Sequence, residues 1–155
     1  MAYRIKSIDN RKRLVYNKDT MDNDRHRSSE IPVDVTVESD LEPVVFCAGR
    51  YSEEPNGFTL NFSFGDGVYT FTRKNGVSVF SSFGFLSYTV NLSSRSEVDI
   101  DSAYGKMKLV SSPVLDEVEE YDGGVKINLE YVITGGGEDM RRKLKIDARF
   151  IRGVV

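Results

Sequence analysis

Tryptophan is absent from the 155 residues, and cysteine and histidine occur once each. A single cysteine, Cys47, cannot close a disulfide within the chain. One histidine and one cysteine cannot assemble a Cys/His zinc centre either. Cys47 falls in the apolar run Val44-Val45-Phe46-Cys47-Ala48, the setting of a small buried thiol. The one histidine, His26, stands between Arg25 and Arg27 in a polar stretch, with no carboxylate at a spacing that would orient it for a Ser-His-Asp triad. Apolar runs are short: none nears the roughly 20 residues of a membrane-spanning helix. The first residues, Met1-Ala2-Tyr3-Arg4-Ile5-Lys6, carry charge almost at once and offer no apolar signal segment. These absences lead to the expectation of a cytoplasmic bacterial protein with no membrane partner, no metal and no cofactor.

Positive charge is also short. The net charge is −3, which argues against nucleic acid as the main partner. The basic residues are not interleaved with aromatics along one strand, as a single-strand binder requires. They gather instead at the N-terminal end, where Arg4, Lys6, Arg11, Lys12, Arg13, Lys18, Arg25 and Arg27 outnumber the acidic side chains of residues 1–30. A basic segment of this kind fits either a solvated loop or an arm that meets an acidic protein partner.

What the chain has in quantity is alternation with a period of two. Phe58, Leu60, Phe62 and Phe64 share one face of a predicted strand, with Thr59, Asn61 and Ser63 on the other. Asp66-Gly67 and Asn75-Gly76 are hairpin signals on either side of Val68-Tyr69-Thr70-Phe71-Thr72-Arg73. Further strands are predicted over residues 77–83 and 85–92, parted or bent at Gly84, and around Val98–Ile100 and Lys106–Val110. A long run from Val125 to Ile133 and another from Leu144 to Phe150 form a hairpin across Gly135-Gly136-Gly137. Ala2–Ile8 and Val33–Val37 read as strands, residues 17–30 as a flexible loop or excursion, and the acidic residues 113–122 as an exposed connection. No segment longer than two turns has the three- and four-residue apolar spacing of a helix. The expected fold is therefore all-β: a single domain over residues 1–155, an antiparallel up-and-down barrel of about eight to ten strands. A sandwich is the alternative, and a barrel is preferred because closure removes edge strands.

Three segments carry a resemblance to a known family. They are Thr72-Arg73-Lys74-Asn75-Gly76, the stretch Ile100–Leu109 (Ile-Asp-Ser-Ala-Tyr-Gly-Lys-Met-Lys-Leu), and Gly123-Gly124 followed by Val125–Tyr131. From about residue 68 onward, over roughly half its length, the chain resembles the YwiB-like family of bacterial proteins. That family is one of unknown function. The resemblance implies a calycin-like β-barrel, related in architecture to the lipocalins, and supplies no activity. Calycin-like barrels often hold apolar ligands, although a chain without tryptophan lacks the Gly-x-Trp signature of true lipocalins.

Several residues are candidates for ligand contact. Arg73 alternates with Tyr69 and Phe71, which places its guanidinium on their face. On an interior face that charge needs a carboxylate, a carbonyl, an aromatic surface or an anionic ligand. Seven of the nine phenylalanines lie between residues 58 and 85, as core packing or as the wall of an apolar pocket. Tyr104 and Tyr131 each bring a polar tip on an apolar body. Arg73, Tyr69, Phe71, Tyr104 and Tyr131 are thus the candidate ligand-binding residues, and no catalytic or metal-binding residue is assigned. The leading expectation is a non-catalytic barrel holding a small apolar or amphipathic ligand. The alternative is a protein-interaction module with a solid core and a basic N-terminal segment. The oligomeric state stays open.

Overall fold

Alternating apolar residues fold into strands when each can bury one face, and among the described residues ten strands bury theirs against one another. The structure, a computed structural model, describes residues 30–151. The strand expected at Ala2–Ile8 and residues 17–29 of the expected loop lie outside them. Residue 30 opens the first described strand. In chain order the strands are β1 (Glu30–Ser39), β2 (Val45–Glu54), β3 (Gly57–Phe64), β4 (Gly67–Lys74), β5 (Val77–Phe83), β6 (Leu86–Asn91), β7 (Ser96–Ser102), β8 (Gly105–Tyr121), β9 (Gly124–Thr134) and β10 (Met140–Phe150). Each pairs antiparallel with the next, and β10 pairs with β1, so the ring closes as an up-and-down barrel. Closure between Phe150 and Val33 at one end and Leu144 and Ser39 at the other rules out a sandwich. No described residue is helical, and no helix among them could cross a membrane.

The turns follow from their residues. Asn75 and Gly76 both adopt positive φ, 53° and 80°, the two-residue conformation that matches the twist of paired strands. The turn after β3 sits one residue earlier than Asp66-Gly67 suggests. Gly65 takes the positive φ (58°) and Gly67 already begins β4.

The expected connection at 113–122 is strand instead. It forms the second half of β8, whose first part pairs with β7 and whose second part pairs with β9. Such stagger is what a closed ring demands. Tyr131 faces Pro113 while Glu130 faces Leu115, so Val114 is an extra residue, a β-bulge. The bulge changes which residues point inward. Before it Ser111 and Pro113 stand opposite the buried Ile133 and Tyr131; after it Asp116 and Val118 stand opposite the buried Leu129 and Ile127.

The interior is filled. A ten-stranded ring is wider than the eight-stranded one that aliphatic side chains fill comfortably, and large aromatics take up the difference. Phe58, Phe71, Phe80 and Tyr131 are all buried. Their rings fall into two groups: Phe58 against Phe71 at 5.8 Å, and Phe80 between Tyr69 at 6.2 Å and Tyr131 at 6.4 Å, centroid to centroid. The phenylalanine cluster of residues 58–85 supplies three of these core rings, whereas Phe83 and Phe85 face out.

Candidate functional site

Because the strands alternate in direction, the turns after β1, β3, β5, β7 and β9 gather at one end of the barrel and the remaining turns at the other. An arginine points inward near each end.

Arg73 lies near the second end, on β4. Its Nη1 donates to Ser78 Oγ at 2.9 Å and meets both oxygens of Asp116, at 3.3 and 3.4 Å. Ser78 is brought there by the tight β4–β5 hairpin, in register opposite Arg73. Asp116 is brought there by the bulge in β8. The groove beside them is polar, about 280 Å³, and lined also by Glu53, Glu54 and Glu120. Its charge is matched within the barrel, and the surrounding carboxylates repel an anion. This arginine bolts β4 to β8.

The first end holds a different arrangement. Arg142 on β10 alternates with Leu144, Ile146 and Ala148, so it shares the core face. It borders a small cavity of about 50 Å³ walled by Phe62, Phe64, Phe80, Tyr69, Tyr88 and Tyr131. Arg142 Nη2 donates to Glu42 Oε1 at 3.4 Å. Its Nε is buried and has no hydrogen-bond partner. The hydroxyls of Tyr88 and Tyr131 bond each other at 2.7 Å. Tyr69 is stacked between Phe64 and Phe80, with centroids at 4.8 and 6.2 Å. Gly67 makes that position available, since a β-carbon there would run into the Tyr69 hydroxyl.

Two phenols at this end, Tyr131 and Tyr69, hold their protons more tightly than a free tyrosine. Burial pushes Tyr131 far above the ordinary tyrosine range, and the neighbouring Tyr88 adds to it. Burial also raises Tyr69; the Glu42 carboxylate adds to that and the Arg142 guanidinium opposes it. The site thus brings a guanidinium and tyrosine hydroxyl groups together on an aromatic wall. Among the described residues no group of His, Cys, Asp and Glu could hold a metal ion.

Of the candidates drawn from the sequence, Tyr69 and Tyr131 are brought together here. Phe71 is fully buried in the core. Tyr104 is 90% exposed in the turn before β8. Arg73 is ion-paired at the opposite end. Arg142 and Glu42 escaped sequence reasoning. For Arg142 a signal existed: the alternation of Leu144, Ile146 and Ala148, carried two residues back, reaches it.

No family model matches the chain, and no curated protein does. Among solved structures it is similar to the crystal structure of the ywiB protein from Bacillus subtilis. The TM-score is 0.63 at 15% identity, covering 79% of this chain and 94% of that one. The fold is YwiB-like. At that identity the likeness concerns the fold alone. It extends the resemblance noted from residue 68 onward to a larger share of the chain.

Proposed function

We propose that this YwiB-like barrel binds a small amphipathic ligand at the Arg142 end. The observation that carries it is the buried Arg142 Nε without an acceptor, beside a cavity walled by aromatic rings. A buried donor left unmatched is costly, and a ligand atom that accepts from it recovers that cost. The filled interior limits the ligand's size: only a head group of a few atoms fits, with its apolar part lying along Phe64 and Tyr69 toward solvent. Arg73 is a candidate anion contact from the sequence, with a carboxylate partner as one alternative; its pairing with Asp116 fits that alternative and leaves Arg142 as the better candidate.

Titration of the isotopically labelled protein with hexanoate and with hexan-1-ol, followed by nuclear magnetic resonance, tests this. Saturable shifts are expected at Val37, Tyr69 and Leu144, residues that border the cavity. The absence of saturable shifts there with either probe overturns the reading.

A second reading, a protein-interaction module, is favoured by a different observation. Val68 and Phe83 are cross-strand partners on the outer face, each about half exposed, and Phe85 in the following turn is 73% exposed. Apolar side chains grouped on an outer surface suit a protein partner. Replacing Phe83 and Phe85 by serine should then remove a partner recovered by pulldown without altering hexanoate binding. An unchanged set of partners counts against it.

A further inference from the structure

The Glu42–Arg142 contact has an unusual form. Glu42 meets the guanidinium through one oxygen at 3.4 Å, longer than the roughly 2.7–2.9 Å of a well-formed charged hydrogen bond. The second donor on that edge of the guanidinium, Nε, goes without. A carboxylate that reached deeper would take both Nε and Nη2, the side-on fork that arginine offers to planar anions.

The turn that carries Glu42 is fastened independently of its side chain. Ser39 Oγ accepts from the backbone N–H of Leu41 at 3.3 Å and of Glu42 at 3.0 Å. The Asp40 N–H donates to the Lys143 carbonyl, and the Lys143 N–H donates to Asp40 Oδ1, both at 3.3 Å. The backbone is thus held against β10 next to Arg142. The Glu42 side chain is held by two long contacts, to Arg142 and to Ser39 Oγ, both at 3.4 Å, and is 48% exposed. It can swing into solvent while the turn stays in place.

We infer that the ligand is a monocarboxylate and that Glu42 is its internal stand-in, yielding Arg142 when the ligand's carboxylate arrives. This rests on the binding reading above and adds the ligand's chemical class and the exchange that admits it. The incoming carboxylate gains the bidentate edge of Arg142, and Glu42 regains full hydration. A single planar charge suits a cavity of about 50 Å³ between aromatic rings; a dianion would bring a second charge toward Glu42 and the apolar wall.

The full-length protein and its Glu42→Gln variant, titrated with hexanoate, hexan-1-ol and inorganic phosphate, decide the matter. Removing the competing carboxylate should tighten hexanoate binding about fivefold, in line with a partly exposed ion pair, and leave hexan-1-ol unchanged. Hexanoate affinity that is unchanged or weaker in Glu42→Gln overturns the exchange, while the binding reading stands on the shifts themselves. Phosphate binding more tightly than hexanoate overturns the carboxylate assignment. If neither organic probe binds, both readings fall together.

Discussion

Inside the ring the hydroxyls of Tyr88 and Tyr131 satisfy each other at 2.7 Å, and this pair shows what a buried polar group requires. Tyr131→Phe leaves the Tyr88 hydroxyl facing an apolar ring, and a loss of about 1–3 kcal/mol is expected from a denaturant titration. The double variant Tyr88→Phe with Tyr131→Phe removes donor and acceptor together and should recover much of that loss. Equal losses in the single and double variants would contradict the account. At this scale the sequence was partly legible. Alternation put Arg73 on the same face as Tyr69 and Phe71. The same rule reaches Arg142 but gives no hint of Glu42, which lies 100 positions away along the chain. Nothing local marks a loop carboxylate as the partner of a distant arginine. The partner depends on which turns the closed ring brings to one end.

The strand that most needed the structure is β8. Its second half reads from sequence as an exposed acidic connection, because Glu117, Glu119 and Glu120 are indeed exposed and the bulge at Val114 breaks the alternation that would reveal a strand. A regular register through this point would turn Asp116 outward and leave Arg73 with Ser78 alone. The bulge and the Arg73–Asp116 pair are therefore one feature. Asp116→Ala should destabilise the barrel by about 1–3 kcal/mol, because a partly buried guanidinium loses its carboxylate. Replacing both members, Arg73→Met with Asp116→Leu, should restore most of that stability, since a matched apolar pair has no charge to desolvate. Thermal unfolding of the two variants beside the unaltered protein checks both statements. The other strands from β3 onward were legible because their turns are short and their alternation is unbroken.

For the molecule as a whole, closure makes stability depend on the state of its tyrosines. Tyr121 donates to Asp147 at 2.7 Å, and burial, followed by that hydrogen bond, pushes its phenol up to about 12. Tyr69 and Tyr131 are raised as well. A phenol in the unfolded chain loses its proton near about pH 10, below the folded-state value. The folded state therefore keeps its full advantage below that pH and loses it as the pH rises toward 12. Denaturant midpoints should fall between pH 10 and 12, and tyrosinate absorbance should develop later in the folded than in the unfolded protein. A midpoint that stays level across that range would contradict it.

Ring closure has one further consequence. Pairing of β10 with β1 brings Ile151 to Pro32, where the Ile151 N–H donates to the Pro32 carbonyl at 3.1 Å. The described chain thus leaves the barrel where it entered. The barrel then has an order of strands but no first strand: joining those two points and cutting any of the hairpin turns would rewrite the sequence order while leaving every neighbour in place.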